Sequence, residues 1–253
     1  MESSPGPEPF EIEMATLSDA GTERGHNEDH CGKFIKSKTC GLVAVADGMA
    51  TMEGGDLASQ RAILALMRSY RELAPGMAQA QRLVRAARNA NYEVYDMAVI
   101  VPQLRGMCTT LTTVAVSDGD LTAAHVGNSR MYLLRDGYIN QLSKDHTVAA
   151  EAEAQMGHYV LRGSDVLTRA IGRELIVPID LFELDLVQGD VVVLCTDGLY
   201  RVLEDPEIAE AVKGADAASA CRRLIDEANA VGTLDNVSAA VVRVVGETPG
   251  TRR

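Results

Sequence analysis

The chain has 253 residues, of which 24 are Lys or Arg and 36 are Asp or Glu, so its formal net charge is −12. This length suits one large domain or two small ones. A hydrophobic fraction of 46% and a charged fraction of 24% exclude a disordered, collagenous or coiled-coil chain. The acidic balance argues against phosphate backbones and anionic lipids, so neither nucleic acid nor a membrane is an expected partner.

The cysteine usage favours a reducing compartment. There are five cysteines with no C-x-x-C pair, which argues against a disulfide framework or a zinc knuckle and favours a cytoplasmic location. Neither a secretory signal nor a long apolar run is visible. Segments 1–9 and 247–253 have the composition of flexible tails, and one domain is expected over 10–246.

The first part of the chain predicts three strands followed by a helical hairpin. Apolar patterning places the strands at Phe10–Leu17, Cys31–Ile35 and Gly41–Ala46. Ala, Leu, Arg and Gln dominate the next two segments, about Asp56–Leu73 and Met77–Met97, which predicts two helices. The Ala74–Gly76 stretch between them is a stop signal, so the two helices are expected to run antiparallel.

The second part returns to strands. They are predicted at Thr109–Val116, Leu121–Val126, Arg130–Arg135, Tyr138–Gln141, Ile179–Leu184, Val191–Cys195 and Val237–Val245, with hairpin turns at Asp118-Gly119 and Asp136-Gly137. Helices are expected at Val148–Met156 and around Cys221–Ala228. Strand runs and helix pairs are segregated, which predicts an α+β fold of stacked antiparallel sheets flanked by paired helices.

Acidic residues recur beside apolar strands. They stand in Asn27-Glu28-Asp29, Asp47-Gly48, Asp197-Gly198 and Asp235-Asn236. Mg²⁺ and Mn²⁺ prefer carboxylate and carbonyl oxygens, and strand ends of one sandwich can bring such groups together. Two ions about 3.5–4 Å apart can hold a bridging hydroxide for attack on phosphorus. The alternative, that Asp-Gly only marks a turn, stays open at each position.

Several strings resemble, in the same order, the motifs of the metal-dependent protein phosphatases (type 2C, PPM family), in a bacterial-type form. They are Arg24–Asp29, Val45–Met49, Cys108–Leu111, His125–Arg130, Leu167–Gly172, Cys195–Leu199 and Asp235–Ser238. The resemblance implies a central antiparallel β-sandwich flanked on both sides by antiparallel helix pairs. It also implies hydrolysis of phosphoserine and phosphothreonine monoesters on proteins, opposing a serine/threonine kinase, by a water or hydroxide that bridges two Mn²⁺ or Mg²⁺ ions.

The resemblance also assigns metal ligands. Asp47 resembles the bridging carboxylate, and the backbone carbonyl of Gly48 is expected on one ion. Asp197 and Asp235 resemble ligands of the other ion.

Three further residues acquire roles by the same resemblance. Arg24 resembles the residue that grips the substrate phosphate, a task that suits its fork of donors. Glu28 and Asp29 resemble residues that hold metal-bound waters.

The chain departs from the family pattern at a few positions. Asn128 stands where the family usually has Asp, so a possible third ion, shared with Asp197, is expected to bind weakly. Met49 replaces a frequent His, Cys108 replaces a Gly, Ala50-Thr51 replaces Gly-Gly, and the stretch 147–166 is short. These departures keep an alternative open, a catalytically weak relative that acts as a phosphoprotein-binding or regulatory module. Asn128→Asp is expected to improve metal binding or turnover with little effect on metal-free stability.

Three other patterns are weighed against ordinary roles. Cys195 and Arg201 have the Cys-x5-Arg spacing of cysteine-based phosphatases, but Asp197 within that loop would repel phosphate, so a buried strand-end cysteine is favoured. His125, among apolar residues, is expected to be a core histidine. The Arg-rich stretch 81–88 is expected to be a solvated helix face, with a partner surface as the alternative.

Overall fold

A computed structural model describes residues 11–49, 54–74, 76–156 and 165–246. The predicted tails, Phe10 and Ala50-Thr51 lie outside these residues, as do Pro75 and part of the shortened stretch 147–166.

The described residues form antiparallel strands and several helices. The strands are β1 (Glu11–Asp19), β2 (Asp29–Ile35), β3 (Cys40–Met49), β4 (Cys108–Thr109), β5 (Leu111–Ser117), β6 (Asp120–Val126), β7 (Arg130–Arg135), β8 (Tyr138–Gln141), β9 (Asp180–Asp185), β10 (Val191–Cys195) and β11 (Val237–Val245). The helices are α1 (Gly55–Glu72), α2 (Gln79–Ile100), α3 (Val148–Met156), α4 (Asp197–Tyr200), α5 (Asp205–Val212) and α6 (Ala217–Val231), with a 3₁₀ turn at Pro102–Leu104.

The strands form two sheets that pack face to face. The first sheet has the order β1-β11-β10-β7-β8, and the second has the order β2-β3-β5-β6-β9 with β4 paired to β3. Helices α1 and α2 cover the second sheet, and α5 and α6 cover the first. The predicted α+β sandwich with helices on both sides is therefore confirmed.

Strand β10 illustrates why a continuous apolar run forms here. Val192 and Leu194 point into the core between the sheets, while Val191, Val193 and Cys195 point into the core beneath the helices. A strand covered on both faces needs apolar residues at every position because neither face meets water.

The predicted hairpin turns are confirmed by their backbone angles. Asp118 and Asp136 have φ of 50° and 53°, and the glycines that follow them have φ of 100° and 82°. Two consecutive residues with positive φ match the right-handed twist of the flanking strands, which is why Asp-Gly is favoured there.

Besides the short α4, the helices differ from the sequence prediction mainly at α5, which was not predicted although its buried Ile208, Ala211 and Val212 have helical spacing. Its start has a capping box in which Glu204 and Glu207 bond reciprocally, with Pro206 in the first turn. Helix α2 also extends past the predicted end, to Ile100. Within the described ranges, no helix is long and apolar enough to cross a membrane.

Candidate metal centre

The predicted acidic residues meet at one end of the sandwich. Asp29 in β2 lies opposite Asp47 in β3. Asp197 begins α4 two residues after the end of β10, and Asp235 lies two residues before the start of β11. The hydroxyl of Thr196 joins the two sheets by donating to Oδ2 of Asp29 at 2.6 Å. The fold thus gathers residues that are far apart in the chain.

The backbone around Asp47 and Gly48 is held closely. The Asp47 carbonyl accepts from the Thr110 amide at 2.9 Å and from the Thr109 hydroxyl at 2.8 Å. The Gly48 amide donates to the Glu28 carbonyl at 3.0 Å. A Cβ on Gly48 would lie 1.9 Å from the carbonyl oxygen of Gly55. Glycine is therefore required by close backbone approach.

Asp197 is buried between two donors. Nδ2 of Asn128 donates to its Oδ2 at 3.2 Å, and Nη2 of Arg201 lies 2.9 Å from the same oxygen. Oδ1 of Asn128 is buried and has no hydrogen-bond partner among the described residues. The amide of Asn128, which replaces the family's usual carboxylate, therefore leaves one oxygen beside Asp197 without a hydrogen-bond partner.

Asp235 and Arg24 lie at the open rim of the site. Nη2 of Arg24 is 3.0 Å from Oδ2 of Asp235, and its Nε donates to the Leu234 carbonyl at 3.3 Å. The Arg24 side chain is 51% exposed, so it can meet a ligand from solvent.

Asn236 fastens the loop that carries Arg24 and Glu28. Its Oδ1 accepts from the Glu28 amide at 2.8 Å, and its Nδ2 donates to the carbonyls of Ala20 and His26 at 2.8 and 2.9 Å. One side chain therefore sets the position of this loop against the start of β11.

The carboxylates repel one another. Burial raises the pKa of Asp29 to about 7, with further upward contributions from Asp197 and Asp235. Burial raises the pKa of Asp47 well above its ordinary value, and the charges of the same neighbouring aspartates add to it. Burial also raises the pKa of Asp197 and Glu28. A bound cation would relieve this repulsion.

The donor set fits hard divalent ions that retain water. In the described part of the chain, no group of three or more His, Cys, Asp or Glu side chains lies close enough together to hold a metal ion. Mg²⁺ usually keeps several waters and takes one or two carboxylates. The carboxylates of Asp47, Asp197 and Asp235, the Gly48 carbonyl and the unpaired Asn128 oxygen are suitable donors for such ions.

Two residues at the site were not assigned a role there from the sequence. Arg201 pairs with Asp197 and also with Asp165, at 3.1 Å. Arg201 follows Asp197 by four residues at the start of a helix, and this spacing could have indicated their ion pair from the sequence. Thr196 both donates to Asp29 and accepts from the Ser238 amide at 2.9 Å, and no local pattern indicates this contact.

The ordinary interpretations of Cys195 and His125 agree with the structure. Cys195 is fully buried, and burial raises the pKa of its thiol far above its usual range, which disfavours a thiolate nucleophile. His125 is a core residue whose Nδ1 lies 2.9 Å from the Thr112 hydroxyl and whose Nε2 lies 3.0 Å from the Lys144 carbonyl.

Comparison with known proteins identifies the family. Residues 22–239 match the family model of protein phosphatase 2C, so the chain belongs to that family. It is 31% identical over 237 residues to the serine/threonine phosphatase stp of Listeria monocytogenes, covering 89% of this chain and 93% of that protein. It is 32% identical over 240 residues to the serine/threonine protein phosphatase PstP of Mycobacterium tuberculosis, covering 92% of this chain and 45% of PstP.

Solved structures agree with this membership. The crystal structure of Mycobacterium tuberculosis PstP/Ppp superposes with a TM-score of 0.83 at 31% identity, covering 93% of this chain and 100% of that one. The catalytic domain of PstP in complex with two manganese ions gives a TM-score of 0.82 at 33% identity, covering 93% and 99%.

Proposed function

We propose that this chain hydrolyses phosphoserine and phosphothreonine monoesters on proteins and opposes a serine/threonine kinase. The observation that carries the proposal is the convergence of Asp47, Asp197 and Asp235 at one end of the sandwich. Membership of the protein phosphatase 2C family and the names of its relatives support the same reaction class.

The proposed metal ligands are the carboxylates of Asp47, Asp197 and Asp235 with the Gly48 carbonyl. When bound there, two Mn²⁺ or Mg²⁺ ions would lower the pKa of water to supply hydroxide near neutral pH and would neutralise charge on the phosphoryl group. The two manganese ions in the PstP catalytic domain support this choice of metal. Glu28 and Asp29 are proposed to act through waters, since both carboxylates border the same cluster.

Arg24 is proposed to bind the substrate phosphate. Its bonds to Asp235 and to the Leu234 carbonyl fix the guanidinium at the rim and use two of its five donors. The remaining N–H groups can donate to phosphate oxygens, and Arg is suited to bidentate phosphate binding. Arg24 would thus position the substrate and neutralise part of its charge.

We place the reaction in the cytoplasm. All five cysteines are free, which suits a reducing compartment.

A phosphopeptide assay with and without chelator tests the proposal. Full chelation should abolish turnover and Mn²⁺ should restore it, whereas thiol alkylation should leave it largely intact because Cys195 is buried. Asp197→Asn should reduce kcat by at least about a hundredfold, since it removes a charged ligand. The matched control Asp226→Asn, on the exposed side of α6, should be unchanged.

The result separates the proposal from its alternative. Turnover that persists in excess chelator would refute the metal mechanism. Binding of phosphopeptides without turnover at any Mn²⁺ concentration would favour a binding or regulatory module.

A further inference from the structure

A groove lies directly beside the proposed metal centre. It encloses about 640 Å³, and its walls come from the end of β3, the last turn of α2, β4 and the segment 165–173. The apolar lining includes Met49, Val99, Cys108 and Leu167. Val99 is 62% exposed, so an apolar partner would remove real hydrocarbon surface from water.

The groove is continuous with the site through backbone pairing. Met49 pairs with Cys108, and Gly48 pairs with Thr109, whose hydroxyl donates to the Asp47 carbonyl. Met49 is two residues from Asp47, and a strand rises about 3.3 Å per residue, so the groove begins roughly 7 Å from Asp47 along the strand. An extended substrate has a similar rise. With the phosphorylated residue over Asp47 and the substrate running alongside β3, the substrate residue about two positions away would reach Met49.

The charged residues of the groove are mainly basic. Arg105 and Arg173 are exposed there, and neither forms an ion pair with any described residue. The acidic Asp165 also lines the groove, but its charge is offset by Arg201 at 3.1 Å. The whole chain has a net charge of −12. Beside the apolar lining of the groove, however, two arginines without acidic partners create a local positive charge that can attract an acidic side chain.

We propose that this groove holds the substrate polypeptide next to the phosphorylated residue, and that it selects substrates with an apolar and an acidic residue near that position. The apolar side chain packs against Met49, Val99 and Leu167, and the acidic one pairs with Arg105 or Arg173. This inference rests on the proposed phosphatase function and adds a substrate class to it.

Matched phosphothreonine peptides test the selection. One peptide carries only Gly and Ser around the phosphothreonine, and the others carry Leu and Glu, or Leu and Lys, within three residues on one side and then on the other. On one of the two sides of the phosphothreonine, Leu together with Glu should raise kcat/KM roughly tenfold or more over the peptide of Gly and Ser. Lys in place of Glu should lose roughly two- to fivefold of that gain.

Two variants, each with a matched control, locate the effect. Arg105→Glu should reverse the Glu-over-Lys preference, because the charge beside the substrate changes sign. Arg88→Glu makes the same change of net charge on an exposed position of α2 outside the groove, and should keep the preference. Val99→Ser should reduce the advantage of Leu, whereas Leu64→Ser, at an exposed residue of α1 outside the groove, should not.

Fluorescence anisotropy with the same peptides distinguishes failure of the groove from failure of the phosphatase function. If all peptides are hydrolysed with equal kcat/KM and bind with equal affinity, the groove does not select substrates, but the proposed phosphatase function stands. An equal change of preference in Arg105→Glu and Arg88→Glu would also overturn the groove. If the peptides bind with the expected preference but are never hydrolysed, the result supports selection by the groove and overturns the proposed phosphatase function. If the peptides show no binding preference and no turnover, both the groove proposal and the phosphatase proposal are overturned.

Discussion

Asn128→Asp tests the electrostatics beside Asp197 most directly. The sequence alone suggested that this nearly isosteric change would leave the metal-free protein equally stable. The structure changes that expectation, because Asn128 is buried and its Nδ2 donates to Asp197 at 3.2 Å. The substitution replaces a donor with a second carboxylate in contact with the first.

The expected cost in the metal-free protein has two bounds. A hydrogen bond to a charged group contributes about 1.5–3 kcal/mol. If the new carboxyl takes up a proton instead of repelling Asp197, holding that proton at pH 7 against an ordinary pKa near 3.9 costs about 4 kcal/mol. Arg201, 2.9 Å from Asp197, offsets part of the repulsion. We therefore expect a loss of about 1.5–4 kcal/mol, or roughly 3–16 °C in Tm.

The sign of the pH dependence follows from the raised pKa. A carboxyl whose pKa is higher in the folded state than in the unfolded state destabilises the fold above its unfolded pKa, and this penalty disappears as the pH falls toward about 4. The Tm difference in chelator should therefore be larger at pH 7 than at pH 5. Saturating Mn²⁺ should shrink or reverse it, because a carboxylate pair attracts a divalent ion more strongly than an amide and a carboxylate do.

Thermal unfolding at both pH values, in chelator and across an Mn²⁺ titration, measures these effects. The half-maximal Mn²⁺ concentration for turnover should also fall. Asn128→Ala removes one donor from Asp197 but adds no second carboxylate, so it should lower Tm with a smaller pH dependence than Asn128→Asp and without a gain in metal affinity. Equal Tm for Asn128→Asp and the unaltered chain in chelator, with superimposable Mn²⁺ titrations, would refute the reasoning.

Two further substitutions address the other charged groups of the site. Arg24→Ala should raise KM for a phosphopeptide about tenfold and lower kcat, while Tm changes little because its ion pair with Asp235 is exposed; an unchanged KM would remove Arg24 from phosphate binding. Burial raises the pKa of Asp29 to about 7, above its unfolded value, so metal-free stability should fall as the pH rises from about 4 to 7. In chelator, Asp29→Asn should reduce this loss of stability between pH 4 and 7 by a few kcal/mol. An unchanged loss would contradict the raised pKa of Asp29.

Local patterns accounted for much of the fold. The predicted strand Val191–Cys195 has the same bounds in the structure, and α1 differs from its prediction by one residue at each end. Both Asp-Gly turns formed as expected, because a turn with positive φ depends on its own residues. Helix α5 was missed because it is short: its apolar period is limited to Ile208, Ala211 and Val212, and its start is marked by a polar cap, Glu204 with Glu207.

The sequence by itself determined which residue types were available for metal chemistry: the carboxylates at the strand ends, a glycine beside one of them, and Arg24 nearby. The order of the motifs also indicated the family, which the comparisons confirmed. These are properties of composition and spacing along the chain, so the sequence alone reveals them.

Only the tertiary structure decided how those groups act on one another. Asn128 and Asp197 are 69 residues apart in the chain and share a buried hydrogen bond, and Thr196 reaches Asp29 across 167 residues. The groove beside Met49 likewise needs α2, β4 and the segment 165–173 to meet. Coulomb energies, desolvation and hydrogen bonds depend on distance and burial in space, and neither quantity is encoded in the local pattern of residues.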